Sequence, residues 1–451
     1  MSAFPQSLNY ANLPRKSMGS RVAKVNVAPA NGATFAPGGN INIQLPTMAA
    51  SYCCLDQSYL KFKIKAKTQA ANLDHSAYSL FSRIDTTSQS QVISSLGEAN
   101  VYYSWLLDTG MGAASARDWG ATCLGMGGDP DQTHIGAELS TTATKTVCLP
   151  FMHGIFNARK LLPLDTAAGV TFTFYLADAA AALISSANAA QTTGYEITDV
   201  EFCTYVTTLS PDAQALLDSS VPDLGYNIAF EDVANTTAHK EAAQLKVVSN
   251  LGFRYSALSR VSVIHRVSTN ANSFKQLSVS NRSHANMSEL ALSVGGLSVP
   301  QVPIRMAPGD KAEALTETLI AWGVLGSQDH QLGLNGDTRV AAGTSGAVVE
   351  RYDREDGKFP DNKDGAYAKT YAAEIGTFGV SIDTDIIKSG ENDAGSAGGG
   401  IYSGISTLGS TCQSMMSYSA ASTSDQAISY FANYTAILSL DPISRAFTVS
   451  V

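Results

Sequence analysis

The stretch from Leu60 to Lys67 alternates apolar and basic residues with a strict period of two. Its apolar members are Leu60, Phe62, Ile64 and Ala66, and its basic members are Lys61, Lys63, Lys65 and Lys67. In a β-strand this pattern puts the apolar side chains on one face and the ammonium groups on the other. The run 40–45 (NINIQL) alternates in the same way and stops before Pro46. Because one-faced strands need a second layer over their apolar side, the sequence predicts a β-sandwich.

Composition sets the size and the general class of the fold. A chain of 451 residues is long enough for two or three domains, each with its own core. Charged residues make up only 15%, and the polar balance comes from Ser, Thr, Asn, Gln and 37 glycines. Such a composition favours short strands joined by many turns. The net charge of -9 argues against a protein whose main task is to bind nucleic acid.

The best domain boundary lies near the middle of the chain. Ser210 and Pro211 are typical of the first positions of a helix, with Ser as the N-cap and Pro at the first helical position. The run 221–225 (VPDLG) ends that helix. We therefore predict an N-terminal arm at 1–28, a first domain at 29–222 and a second domain at 223–451.

Each half has the same order of patterns: strands, a helix, a long loop and further strands. The helices are predicted at Glu98–Leu107 and Asp310–Trp322, and the long loops at 108–145 and 323–369. The other predicted strands are 78–85, 91–96, 146–149, 170–176, 197–209, 243–248, 261–267, 274–280, 290–294, 374–382, 427–440 and 446–451. A duplicated architecture is a hypothesis that this order suggests.

The cysteines and the N-terminus bear on the cellular compartment. No CxxC pair occurs among Cys53, Cys54, Cys123, Cys148, Cys203 and Cys412, which are too few for a disulfide scaffold. We interpret them as reduced thiols that act as small apolar residues. The first 20 residues lack the apolar run of a signal peptide, so we expect a soluble protein made in the cytosol.

Motifs for catalysis or nucleotide binding are missing. The patterns GxSxG, HExxH and GxxxxGK[ST] do not occur, and the glycine-rich runs 125–130 and 397–404 do not fit GxGxxG. No pair at metal-ligand spacing occurs among His75, His134, His153, His239, His265, His284 and His330. We interpret His265 as a hydrogen-bonded residue of a strand. We predict no catalytic, cofactor-binding or metal-binding residue, no cofactor and no enzymatic activity.

One acidic loop could suggest a calcium site. It contains Asp353, Glu355, Asp356, Asp361 and Asp364. The loop lacks the DxDxDG order, and basic residues are interleaved with the acidic ones, which favours a solvated loop of mixed charge. A glycosidase site made of paired carboxylates stays open, because the separation in space decides it.

Several stretches together resemble the double jelly-roll major capsid proteins. Residues 35–67 resemble the opening of the first roll, and residues 78–107 resemble a strand, a turn and a helix with the pattern E-x-N-x-Y at 98–102. Residues 195–217 resemble the last strand of that roll and the connecting helix. The closing strands of the second roll are similar to 378–390, 403–410 and 430–451. This family builds the shells of adenoviruses, virophages, polinton-like viruses, membrane-containing phages and large nucleocytoplasmic DNA viruses.

The resemblance implies an all-β fold of two tandem eight-stranded jelly-roll sandwiches with short helices and long loop insertions. It implies a structural protein of the virion shell, assembled as trimeric, pseudo-hexagonal capsomers into an icosahedral capsid. Its partners would be further copies of itself, with penton and minor capsid proteins. The arm, with Arg15, Lys16, Arg21 and Lys24, would make at most weak contact with the genome or an inner membrane. No small-molecule substrate is implied.

Three alternatives remain at this stage. A strongly basic arm would favour a capsid protein with one jelly roll and a projecting domain, and the four basic residues in the first 28 fall short of that. A non-viral lectin or adhesin of β-sandwich type is the second alternative, and the lack of a signal peptide counts against it because such proteins are usually exported. A β-rich enzyme is the third, and the lack of a set of catalytic residues counts against it. The lysine row at 61–67 also has two interpretations: it either discourages stray strand pairing or meets acidic groups of a neighbouring copy.

Overall fold

The computed structural model describes residues 19–451 apart from 90, 112–114, 128–134, 159, 168, 186–193, 221–224, 269–276, 308–310, 325–337, 341–347, 351–377, 386–403, 423 and 442–446. Strands dominate these described residues and group into separate sheets. No sheet mixes strands from before residue 210 with strands from after residue 225 in the described part of the chain.

The first half contributes strands β1 to β13, one long helix and several short helical segments. The strands are β1 (Ser20–Val27), β2 (Thr34–Phe35), β3 (Asn40–Gln44), β4 (Ser51–Ala66), β5 (Ala71–Asp74), β6 (Phe81–Ser88), β7 (Gln91–Gly97), β8 (Ile135–Leu139), β9 (Lys145–Pro150), β10 (Leu162–Pro163), β11 (Val170–Leu176), β12 (Leu183–Ser185) and β13 (Tyr195–Leu209). Helix α1 is Ala99–Gly110. The short segments are Ala77–Leu80, Ala116–Leu124, Gly154–Asn157 and Ala179–Ala182.

The second half contributes β14 to β24 and a helix at Ala312–Ala321. The strands are β14 (Tyr226–Lys240), β15 (Lys246–Asn250), β16 (Leu258–Val267), β17 (Met287–Val294), β18 (Leu297–Arg305), β19 (Thr338–Val340), β20 (Val348–Glu350), β21 (Val380–Asp383), β22 (Cys412–Tyr418), β23 (Gln426–Leu440) and β24 (Phe447–Ser450). The helix Pro211–Ser220 joins the halves, and the backbone N–H of Ala213 donates to Ser210 Oγ at 3.3 Å. The predicted N-cap is confirmed.

Each half forms two principal sheets, and the strand order is the same in both. In the first half the orders are β1-β13-β4-β10 (with β9 also paired to β4) and β3-β11-β6-β7. In the second half they are β14-β23-β16-β21 and β15-β22-β17-β18. Strand by strand, β1 therefore corresponds to β14, β7 to β18, and β13 to β23. The hypothesis of a duplicated architecture is confirmed at the level of topology, and we call the two halves the first and the second roll.

The alternating strands form as their sequences predict. In β11 (VTFTFYL), Val170, Phe172 and Phe174 are buried, and the residues between them face outward. In β4 the apolar members of the alternating run, Leu60 to Ala66, have no exposure. This alternation gives each sheet one apolar face, and the two faces enclose the core of the roll.

The described residues form two large apolar clusters and one small one, the pair Ile184 and Leu277. The largest one is the core of the first roll, and it extends across the junction to Ile264 and Phe431 of the second roll. The other large one lies inside the second roll and includes Val261, Val263 and Tyr430. Neighbours along one strand, such as Tyr430 and Phe431, thus belong to different cores. The second roll is buried on both faces where the first roll covers it.

Several sequence predictions need correction. The expected arm at 1–28 is wrong for Ser20–Val27, which pairs with Leu209–Phe202 of β13 as β1. The expected loop at 108–145 contains the π-helical segment Ala116–Leu124 and β8. Leu277–Ser280 are not in a strand, because their backbone binds a carboxylate of the first roll. The strands β14 and β18 were missed, since polar residues and prolines interrupt their alternation.

Candidate assembly surfaces and the junction between the rolls

The described residues among those considered for chemistry in the sequence do not form a common site. His134, His330, the acidic residues 353–364 and the run 397–403 lie outside the described residues. Among those the structure does describe, no group of three or more His, Cys, Asp or Glu could hold a metal ion. No helix in the same part of the chain is long and apolar enough to cross a membrane. All six cysteines are free thiols, and Cys53, Cys203 and Cys412 are buried.

The buried histidines have structural environments. His265 Nε2 lies 2.9 Å from Tyr418 Oη, which confirms the interpretation of His265 as a hydrogen-bonded residue of a strand. His153 Nδ1 lies 2.6 Å from Tyr103 Oη. Burial lowers the pKa of His153, His265 and His284 to about 3 in each case. These rings are therefore neutral at physiological pH.

The lysine row of β4 is neutralised within the chain. Lys61, Lys63 and Lys65 form ion pairs with carboxylates of β13, at N–O distances of 3.0, 2.8 and 3.1 Å. Their partners are Glu201, Asp199 and Glu196. The partners lie on the neighbouring strand, so the pairs cross between β4 and β13. The described lysines thus give this face alternating charges of both signs instead of a basic stripe.

The most distinctive feature of the molecule is the junction between the rolls, where several charged side chains are buried. Asp74, at the end of β5 in the first roll, accepts hydrogen bonds from a loop of the second roll. Its Oδ2 accepts from the backbone N–H of Ser278 at 2.6 Å and of Val279 at 2.8 Å. Its Oδ1 accepts from Ser280 Oγ at 2.6 Å. Several hydrogen bonds to one carboxylate compensate for the loss of its hydration.

A second buried contact at the junction is the ion pair between Arg282 and Asp108. Neither side chain has measurable exposure. Asp108 Oδ1 also lies 3.0 Å from His75 Nε2, and Arg282 donates to Ser104 Oγ at 3.0 Å. The guanidinium carbon lies 5.3 Å from the centre of the Trp105 ring. Ser104, Trp105 and Asp108 all belong to α1, so this helix carries the charged side of the junction.

Further along the junction, Glu98 precedes α1 and binds two residues of the second roll. It forms an ion pair with Arg266 and accepts a hydrogen bond from Asn235 Nδ2 at 3.4 Å. The backbone of Glu98 is left-handed, with a φ of 47°, which is costly for a residue with a side chain. The two contacts from the second roll hold the residue in that conformation.

Asp232 of β14 lies at the other side of the junction, against β7. Its Oδ1 accepts from Ser94 Oγ at 2.7 Å, and its Oδ2 accepts from Tyr434 Oη at 2.9 Å. Burial raises the pKa of Asp232 to about 6, although these hydrogen bonds oppose the increase. Tyr102 of α1 completes the contact, since its ring lies 5.4 Å from that of Phe431 and its Oη accepts from Asn433 Nδ2.

The sequence did not predict the contacts between these residues, although the pattern E-x-N-x-Y at 98–102 includes Glu98 and Tyr102. Arg282 and Asp108 are 174 positions apart, and Asp74 and Ser280 are 206 positions apart. The only signal was a charge next to an apolar run, such as Asp108 at the end of the segment VYYSWLLDTG. A buried charge of this kind needs a partner, but the sequence does not identify it.

No protein-family model matches the sequence, and no curated protein does. Solved structures do match over nearly the whole chain. The quasi-atomic capsid model of the virus PBCV-1 is 10% identical, covers 98% of this chain and 99% of its own, and has a TM-score of 0.58. The Sputnik virophage structure is 9% identical, with coverages of 100% and 93% and a TM-score of 0.57. The Faustovirus major capsid protein is 8% identical, with coverages of 97% and 93% and a TM-score of 0.56.

These likenesses show the fold. The chain is a double jelly roll, and both rolls and their connection are included in the match. An arrangement with one jelly roll and a projecting domain does not describe this topology, because the second half repeats the strand order of the first.

Proposed function

We propose that this protein is a structural major capsid protein, which assembles as a trimeric capsomer into the icosahedral shell of a virus. The observation that carries the proposal is the double jelly-roll fold along nearly the whole chain, shared with the PBCV-1 capsid and the Faustovirus major capsid protein. The boundary between the rolls at 222/223 is part of the proposal, and the first roll includes β1. We assign no catalytic, cofactor-binding or metal-binding residue.

The junction supports this role physically. A shell unit has to keep a fixed angle between its two rolls, because an error in the angle would accumulate over many units. The ion pair of Arg282 with Asp108 and the binding of Asp74 to the 278–280 loop have directional geometry and are buried. Such contacts specify one arrangement more sharply than an apolar interface of the same size.

The partners would be further copies of this chain in the capsomer and neighbouring capsomers in the shell. Penton and minor capsid proteins would be additional partners. The arm would make at most weak contact with the genome or an inner membrane, and the protein would reside in the virion shell. A β-sandwich lectin or adhesin is the second candidate, because sandwiches of this size also present loops to glycans.

Native mass spectrometry and negative-stain imaging of the purified full chain test the proposal. We expect a stable trimer, with triangular towers or closed shells in the images. A chain that stays monomeric at micromolar concentration and binds glycans on an array would contradict the proposal and support the adhesin. Wild-type particles also provide the reference for the variants described below.

A further inference from the structure

The second roll contains an open cavity between two of its loops. One wall belongs to the segment 250–254, which leads from β15 towards β16, and the other belongs to the segment 408–413, which leads into β22. The cavity has a volume of about 500 Å³. Sites for small organic ligands have volumes in this range. The cavity is therefore large enough for a ligand of several heavy atoms.

Hydrogen bonds join the two segments on both sides of the cavity. On one side the backbone N–H of Leu251 donates to the carbonyl of Cys412 at 3.0 Å. On the other side the backbone N–H of Thr407 donates to the carbonyl of Tyr255 at 2.8 Å, and Thr407 Oγ1 accepts from the N–H of Tyr255 at 2.9 Å. The segments diverge between these bonds, so the fold itself holds the walls of the cavity in place.

The polar groups of the cavity are hydrogen-bond donors. Arg254 is the only charged residue among the described residues that line it, and its exposed guanidinium binds no other described residue. The backbone N–H groups of Phe253 and Arg254 also have no acceptor in the described part of the chain, although Phe253 is only 4% exposed. Donors that lack an acceptor and lie beside a positive charge favour an anion.

The remaining lining determines which kind of anion fits. A guanidinium matches the oxygens of a phosphate with two parallel hydrogen bonds, and backbone N–H groups bind further oxygens of a tetrahedral group. The cavity also has an apolar side, because Leu408 is 53% exposed on one wall and Phe253 belongs to the other. A bare phosphate ion would leave this apolar side unused.

We propose that this cavity binds a phosphate ester, with the phosphate group on Arg254 and the organic part against Leu408. The inference goes beyond the proposed function and does not depend on it, since the cavity lies within one roll of one chain. A soluble phosphate ester and the headgroup of a phospholipid present the same chemistry, and the experiment separates these two sources.

Isothermal titration calorimetry of the purified full chain with glycerol 3-phosphate tests the proposal. We expect saturable binding to the wild type. Arg254→Gln should weaken the binding about ten- to hundredfold, because it removes charge-assisted hydrogen bonds. Leu408→Asp should weaken it as well, since a carboxylate on the opposite wall repels the phosphate. Both side chains are exposed, so the melting temperature of each variant should equal that of the wild type.

The matched control for the loss of charge is Arg305→Gln. Arg305 is exposed on β18, which lies at the opposite edge of the same sheet as β15, and its substitution changes the net charge by the same amount. This variant should bind glycerol 3-phosphate like the wild type. Glycerol, which lacks the phosphate group, should give no binding to any variant.

Flotation with vesicles identifies the source of the ester. Binding to vesicles of phosphatidic acid and phosphatidylcholine in equal parts, lost in Arg254→Gln and kept in Arg305→Gln, would support the proposal with a lipid headgroup as the ligand. Binding of glycerol 3-phosphate without binding to these vesicles would support it with a soluble ester as the ligand.

Three results would overturn the proposal. The first is no saturable binding of glycerol 3-phosphate at millimolar concentration, and the second is equal weakening by Arg254→Gln and Arg305→Gln. The third is equal affinity for inorganic phosphate and glycerol 3-phosphate, which would show that the cavity does not recognise the organic part. A chain that binds the ester but never associates in native mass spectrometry would keep this site and contradict the capsid function.

Discussion

Arg282 and Asp108 form an ion pair in which neither side chain is exposed, although 174 residues separate them in the chain. One belongs to the second roll and the other to α1 of the first roll. Transfer of two charges from water into a protein interior is costly, and only good geometry with additional hydrogen bonds compensates for it. Ser104 and His75 supply those additional bonds. The pair therefore joins the rolls through a contact that tolerates little change.

We expect Asp108→Asn to lower the free energy of unfolding by about 3–5 kcal/mol, because it leaves the Arg282 guanidinium buried without a countercharge. The double variant Asp108→Leu with Arg282→Met should recover much of this loss. Chemical denaturation followed by circular dichroism measures both effects. Asp199→Asn is the control, since it breaks the solvent-exposed pair with Lys63 and should change stability little. Equal stability of Asp108→Asn and the wild type would contradict the assignment.

Gly379 of the second roll lies directly against Trp105 of α1. A Cβ atom at Gly379 would lie 2.7 Å from the Trp105 ring, which is closer than packed atoms approach. We expect Gly379→Ala to cost about 1–3 kcal/mol of unfolding free energy through overpacking. Combination with Trp105→Leu should give a favourable coupling energy, because the smaller side chain makes room for the methyl group.

The control for Gly379→Ala is a glycine at which an added Cβ atom has open space around it. Gly110 ends α1, and a Cβ atom there would meet nothing within 4 Å. We expect Gly110→Ala to be neutral or slightly stabilising, since alanine favours the helix. Additive effects of Gly379→Ala and Trp105→Leu would show that the two residues do not touch.

Much of the fold could be predicted because the alternation of apolar and polar residues along a strand indicates which side chains are buried. Strands such as β4, β11 and β13 show one apolar face in sequence and have one buried face in the structure. β14 shows no such face around Asp232 and Asn235, whose burial depends on β7 and Glu98 in the other roll. A local pattern cannot report a partner that is more than a hundred residues away.

The candidate surfaces were predictable only in part. The lysine alternation indicated a strand with one charged face, but not that Glu196, Asp199 and Glu201 on β13 would pair with it. Asp199 is left-handed, with a φ of 51°, at a β-bulge. Bulges shift the register by one residue and so change which side chains meet across two strands. Neither interpretation of the lysine row, protection against stray strand pairing or contact with a neighbouring copy, included the pairing within the chain that the structure shows.

Asp232 should give the junction a measurable dependence on pH. Its pKa is about 6 in the folded protein instead of 3.8, so the folded state holds the proton more tightly than the unfolded state. Relative to Asp232→Asn, the wild type should therefore gain stability as the pH falls from 7 to 4, by up to about 3 kcal/mol. Unfolding by urea at several pH values measures the difference. Asp199→Asn should show the opposite sign, because the pKa of Asp199 is lowered by Lys63.

The buried histidines change the stability with pH in the direction opposite to Asp232. The pKa of His153 is about 3 in the folded protein instead of 6.5, so the stability it contributes is present above pH 6.5 and is lost as the pH falls toward 3. His265 and His284 behave in the same way. The stability that these three histidines lose on acidification exceeds the stability that Asp232 gains, so we expect the protein to unfold in acid.

We expect His153→Gln to move the acid-unfolding midpoint to a lower pH. The glutamine carbonyl can still accept the hydrogen bond from Tyr103, while the titrating ring is removed. Tryptophan fluorescence along a pH titration measures the midpoint. His239→Gln is the control, because the side chain of His239 is 56% exposed. Equal midpoints for the wild type and His153→Gln would rule out this source of acid sensitivity.

Truncation separates the arm from the strand that follows it. Removal of residues 1–28 deletes β1, which pairs with β13 over its eight residues and packs Val25 and Val27 against the core. We therefore expect this truncation to lower the melting temperature. Removal of residues 1–18 leaves β1 intact, so the capsomer should fold and associate normally, while shell assembly should be impaired if Arg15 and Lys16 contribute to it. Calorimetry and negative-stain imaging of both truncations give the two readouts. Normal shells after removal of residues 1–18 would refute the role of the arm and leave that of β1 in place.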